Sequence, residues 1–120
     1  MAPYTSLANV LIRDGNLQQA QYYLERAVSQ AIPKDRRLAD VHNLLGNLMA
    51  NQGHTEPAVI LYLQSLKINP NLATAHFGLG QLLAMQGKKA DAIAHFQKVT
   101  ETGDVALSRA AAAAIRRLRQ

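Results

Sequence analysis

The sequence predicts an all-α fold built from helical hairpins stacked side by side, and three observations predict it. First, residues 39–72 repeat at an offset of 34, with matches at Ala39/Ala73, His42/His76, Leu45/Leu79, Gly46/Gly80, Leu48/Leu82, Ala50/Ala84, Gln52/Gln86, Gly53/Gly87 and Ala58/Ala92. A period in this range marks a stacked-repeat architecture. Second, apolar residues recur at helical spacing between regular Gly and Pro breaks. Third, aromatic residues make up only 5% and Trp is absent. The core is therefore aliphatic and Ala-rich, which suits closely packed helices better than a β sandwich.

The elements follow in order. Tyr4, Leu7, Ala8 and Leu11 share one helical face, and Pro3 fits a first turn, where its missing N–H costs little. Asp14-Gly15-Asn16 breaks the pattern, and Asn16 with Gln19 resembles a capping box. The next helix, about Leu17 to Gln30, buries Ala20, Tyr23, Leu24 and Ala27, and Pro33 ends the unit. This copy sits 38 rather than 34 residues before the next, an insertion of about four residues around Lys34-Asp35-Arg36-Arg37. Asp35 is expected to cap a lengthened helix running to about Gln52.

Gly46 is the informative residue of the second unit. A mid-helix Gly costs about 1 kcal/mol relative to Ala. Its return as Gly80, with Ala8 in the first copy, predicts a close helix crossing. Ala20, Ala58 and Ala92 face that crossing, and Leu24, Tyr62 and Phe96 fill the next layer. Thr55 followed by Glu56-Pro57 opens the fourth helix. Asn69-Pro70 stops it, and Asn71 is expected to cap the fifth. In the third unit Thr102-Gly103 replaces the Asn-Pro stop. Asp104 then opens a last helix, Val105 to Arg119, with an apolar stripe of Leu107, Ala111, Ala114, Ile115 and Leu118. The chain is thus expected to form one domain over 1–120, with repeats at about 1–34, 39–72 and 73–103 and a closing helix at about 104–119.

The array Leu45-Gly46, Met49, Gly53, Ala58, Tyr62, Pro70, with its echo Leu79-Gly80, Leu83, Gly87, Ala92, Phe96, resembles tetratricopeptide repeats. The first unit follows through Leu7-Ala8, Leu11, Gly15, Ala20, Leu24 and Ala27. The family's usual Trp is replaced by Tyr4, His42 and His76. The resemblance covers about residues 1–103 and likens the rest to a solvating cap helix. It implies a right-handed superhelical solenoid whose first helices line a concave groove, and a scaffold that binds a peptide or protein partner without chemistry.

With His42 as origin and about 100° per residue, Leu45, Gly46 and Met49 face the paired helix, and Asn43, Asn47 and Asn51 form the remaining polar strip. The equivalent strips are Thr5, Asn9 and Arg13 in the first unit and Phe77, Gln81 and Met85 in the third. The resemblance assigns these nine positions to the groove. Its middle row, Asn9, Asn47 and Gln81, is all carboxamide, which can donate and accept along an extended peptide backbone. Phe77 is the expected apolar anchor, with Met85 beside it, and Arg13 the expected acceptor of an acidic group. Some family members clamp a C-terminal carboxylate with cations. Here Asn9 matches one clamp position, but Thr5, Thr74 and Gly78 stand where the cations belong, which disfavours that clamp.

Composition narrows the function further. Charged residues are 18%, and there is no Cys. Cysteine ligation, disulfides and thiol catalysis are excluded. No run is long and apolar enough to span a bilayer. Met1-Ala-Pro-Tyr does not open a signal peptide, so a cytoplasmic location is expected. His42, His54, His76 and His95 lack the helical spacing of a metal site, and no phosphate loop or catalytic constellation stands out. Neither an enzyme, a cofactor nor a metal is expected. The net charge of +5 favours acidic partners in general. Two other uses remain open. Arg109, Arg116, Arg117 and Arg119 could make the last helix an adaptor for acidic partners, although nucleic acid is not expected. The first unit's outer face, with Tyr22 or Leu11, could support a homo-oligomer or join a longer array.

Overall fold

The computed structural model describes residues 4–30 and 36–120, with the backbone alone for residues 4–6 and 30. Among the described residues the helices are α1 (Tyr4–Arg13), α2 (Leu17–Gln30), α3 (Leu38–Asn51), α4 (Thr55–Ile68), α5 (Ala73–Met85), α6 (Lys89–Thr100) and α7 (Val105–Leu118). They pair as α1/α2, α3/α4 and α5/α6, and α7 packs on α6 and α5. Contacts of α2 with α3 and of α4 with α5 join the hairpins in series. The molecule measures 45 × 26 × 22 Å, so the hairpins form an open row with one long axis rather than a closed bundle. This is an all-α solenoid of paired helices with a seventh helix at its C-terminal end.

Each hairpin turns on a glycine in the left-handed region, with φ of 82° at Gly15, 83° at Gly53 and 80° at Gly87. The hydrogen bonds repeat as well. His54 N–H reaches Met49 O at 2.9 Å while Gly53 N–H reaches Ala50 O at 3.0 Å, and Lys88/Leu83 with Gly87/Ala84 copy this pattern. That is a Schellman turn, which satisfies the last carbonyls of one helix and sends the chain back along it.

The core divides into two clusters. One gathers Ala8, Ala20, Leu24 and Ala27 with Leu38, Val41, Leu45 and Leu48. The other runs from Ala58 and Tyr62 through Ala75, Leu79, Ala92, Phe96 and Val99 to Ala111 of α7. Each hairpin therefore buries its apolar face against its neighbours, as expected of a quasi-one-dimensional stack. Around Ala111, the partly buried Leu107, Ala114, Ile115 and Leu118 carry the apolar stripe of α7 onto the third hairpin.

The close crossing predicted from Gly46 is present, and tighter than expected. A Cβ on Gly46 would lie 2.9 Å from Tyr62 Cε1, and one on Gly80 would lie 2.9 Å from Phe96 Cε1. The aromatic rings thus sit directly on the glycines rather than in the next layer. In the first hairpin the corresponding pair is Ala8 and Leu24, both fully buried. A smaller partner there leaves room for a methyl group.

The local cap expectations fare differently. Helix α3 begins at Leu38, and Asp35, its expected cap, lies outside the described residues, as do Pro3 and Pro33. Leu72 occupies the N-cap of α5 without a side-chain bond, so Asn71 does not cap it. Instead Asn71 N–H donates to Asn69 Oδ1 at 3.2 Å, forming a local turn. Asp104 does cap α7, accepting from Leu107 N–H at 3.0 Å.

The glycine–aromatic pairing has a measurable consequence. Gly46→Ala gains up to about 1 kcal/mol of helix propensity but overpacks a buried ring at a cost of about 1–3 kcal/mol. We expect a net loss of stability in urea unfolding. In a Tyr62→Leu background, which reproduces the Ala8/Leu24 pair, the same substitution should become neutral or stabilising.

Candidate functional site: the trough between α3, α5 and α7

An open cavity of about 530 Å³ lies where α3, α5 and α7 converge. Phe77, Gln81 and Met85 line it from α5, Ala50 and Asn51 from the end of α3, and Ala114, Arg117 and Leu118 from α7. The spacing of 77, 81 and 85 places one residue per helical turn along the same face, which is why the strip read from the sequence opens into this hollow. Met85 is 77% exposed, an apolar side chain standing free at the mouth. Phe77 is half-buried and meets the Phe96 ring edge-on, with centroids 5.5 Å apart.

The floor is built by a missing side chain. A Cβ on Gly78 would fall 2.6 Å from Tyr62 Cζ. The Tyr62 ring fills that space from α4 and reaches the cavity between α3 and α5. Burial pushes the Tyr62 phenol up to about 12, so it stays protonated and donates to Asn47 Oδ1 at 2.5 Å. Asn47 is thereby engaged within the fold and does not itself line the cavity.

The other expected groove residues fall elsewhere. Asn43 was expected on an exposed strip, but it is only 7% exposed, and its Oδ1 has no hydrogen-bond partner. Asn9 and Arg13 are exposed on α1 and do not line the cavity. The side chain of Thr5 lies outside the described residues. The cation bordering the cavity is Arg117, not Arg13. Sequence reasoning missed Tyr62, Phe96 and the α7 wall. Tyr62 and Phe96 are core residues, each 2% exposed, that also line the hollow. Nothing in the α7 stripe alone shows that Leu118 also borders a hollow.

His76 and His95 pair between the two helices of one hairpin, α5 and α6, rather than along the repeat. His76 Nε2 lies 2.7 Å from Pro70 O, a carbonyl that can only accept, so this nitrogen carries the proton. His76 Nδ1 lies 3.1 Å from His95 Nδ1, so in the neutral pair His95 N–H donates to it. The repeat-equivalent His42 lines a second hollow of about 330 Å³ with Glu25, Val28, Leu45, Met49, Leu61 and Gln64, and its buried Nδ1 lacks a partner. Among the described residues no cluster of three or more His, Cys, Asp or Glu could hold a metal ion. No helix described is long and apolar enough to cross a membrane.

A row of helical hairpins with an apolar trough where α3, α5 and α7 converge defines a helical repeat solenoid. Family models described as tetratricopeptide repeat match residues 1–71 and residues 61–94, and the chain belongs to the tetratricopeptide repeat family. Over 94 residues it is 33% identical to the photosystem I assembly protein Ycf3 of Acaryochloris marina, covering 78% of this chain and 55% of that one. The chain thus spans about half the length of that relative. Among solved structures it resembles PcrH in complex with the chaperone-binding region of PopD, with a TM-score of 0.84 at 17% identity, over 97% of this chain and 88% of that one. It also resembles the Yersinia enterocolitica type III secretion chaperone SycD in complex with a peptide of the translocator YopD, with a TM-score of 0.82 at 16% identity, over 97% and 89% of the two chains. At such identities the likeness is one of fold.

The buried histidines set a pH response. Burial holds His42 below the ordinary value of 6.5. Burial does the same to His95, with His76 lowering it further and Asp91 opposing. The unfolded chain then binds protons that the folded chain refuses. Stability is therefore full above about 6.5 and falls as pH drops below it, levelling only once the lower folded values are passed. Urea midpoints should decrease from about pH 7.5 to 5.5, and His95→Gln should flatten that slope partly, since His42 keeps its share.

Proposed function

We propose that this protein is a non-enzymatic scaffold that holds a segment of a partner protein in the trough between α3, α5 and α7, working as one domain in the cytoplasm. The observation that carries the reading is Met85: an apolar side chain, 77% exposed, at the mouth of a hollow lined by Phe77, Leu118 and the Tyr62 ring. Exposed apolar surface gathered in a concave site, with a few carboxamides around it, is the composition of a peptide groove. Gln81 and Asn51 can donate and accept along a peptide backbone, while the apolar walls take a side chain. The complexes of PcrH and SycD with partner segments support the same use for this fold.

A second reading rests on α1. Leu7 and Val10 are 44% and 45% exposed on that helix, at the end of the row opposite α7, while Leu11 is half-buried. This apolar end supports association with a second copy. Sedimentation velocity across concentration tests it: Val10→Glu should abolish any concentration-dependent rise in mass.

For the groove, peptides selected from a displayed random library on the wild-type protein serve as ligands. Phe77→Ala and Met85→Glu should each weaken their binding about tenfold or more. Met85→Glu should leave the thermal midpoint unchanged, because the side chain it replaces is exposed. Asn47 is a poorer probe, since removing it strands the Tyr62 hydroxyl. Selected peptides that bind both variants as tightly as wild type would place their site elsewhere.

A further inference from the structure

Of the residues lining the trough, Arg117 alone is charged. It comes from the last turn of α7, the closing helix, whose apolar stripe already serves to cover the third hairpin. No acidic residue lines the cavity. Arg117 therefore stands at the trough without a carboxylate of its own. The residues that share the lining with it include Leu118, Met85 and Phe77, which are apolar, and Asn51 and Gln81, which carry no charge.

We propose that α7 is the selectivity element of the groove and that Arg117 receives a carboxylate of the bound segment, close to an apolar side chain seated among Phe77, Met85 and Leu118. This deepens the groove reading above and rests on it. A guanidinium matches a carboxylate by two parallel N–H donations, a geometry that lysine does not offer. The occupant is an acidic-apolar peptide rather than a nucleic acid strand. A phosphate backbone calls for a track of several cations, whereas Arg109 and Arg116 of α7 and Arg119 just beyond it lie outside the cavity lining. A peptide segment needs one cation beside one apolar pocket, and that is the arrangement present.

The test reads the sequences that the displayed library yields on the wild-type protein and on Arg117→Glu. The wild type should enrich Asp or Glu at a constant spacing from an apolar residue. Arg117→Glu should lose that preference and enrich Lys or Arg at the same position. A synthetic peptide of the wild-type consensus should bind Arg117→Glu about tenfold more weakly, and its acid-to-Lys version should reverse the order. Arg117→Gln, which removes the charge without reversing it, should fall between the two, and circular dichroism of each variant controls for folding. If the selected peptides depend on Phe77 and Met85 but show no acidic position, and the charge swap changes nothing, the role of Arg117 is refuted and the groove stands. If no selected peptide depends on Phe77 or Met85, the groove reading fails and this inference with it.

Discussion

The fold depends on how closely two helices of a hairpin can approach. Where Gly46 meets Tyr62 and Gly80 meets Phe96, an aromatic ring lies against bare backbone, at separations a methyl group would violate. Such contacts exchange the helix propensity of one residue for the burial of a ring, a favourable exchange because an aromatic side chain buries far more apolar surface than the glycine forfeits. The first hairpin reaches the same packing with Ala8 and Leu24. Small and large residues vary together along the chain: glycine faces an aromatic ring in two hairpins, and alanine stands with leucine in the first.

That crossing also shapes the trough. Tyr62 extends past Gly46 to fill the place of a side chain at Gly78, so one ring joins the second hairpin to the third and forms part of the groove floor. Its hydroxyl, donating to Asn47, ties α4 to α3 at the same point. The closing helix completes the hollow from the other side. It is needed to cover the apolar face of the third hairpin, and its last turn supplies Leu118 and Arg117 to the site.

The polar network shows where a repeat stops being a copy of itself. Ser65 stands at a position held by Ala27 and Val99 in the other hairpins and satisfies its buried hydroxyl by donating to Ala39 O at 2.6 Å. His42 and His76 are equivalent in sequence but differ in partners. His76 binds Pro70 O and His95, whereas His42 faces its own hollow with one ring nitrogen unpaired. Identical residues acquire different roles because α6 places a histidine within reach of one and α4 offers none to the other.

Helix number, hairpin turns, the close crossings and the family were legible in the residues themselves. All four follow from local periodicity, from left-handed glycines and from a repeat that places equivalent residues in equivalent surroundings. The candidate site was legible only in part. That Phe77, Gln81 and Met85 share one face, which here lines a cavity, could be read because a helical face is set by the 3.6-residue period. The tertiary structure alone decided that Asn43 is buried, that Asn47 is engaged by Tyr62, and that the cation at the trough is Arg117 rather than Arg13. Those outcomes depend on distances between hairpins and on where the closing helix ends. Neither quantity is carried by the period of a single helix.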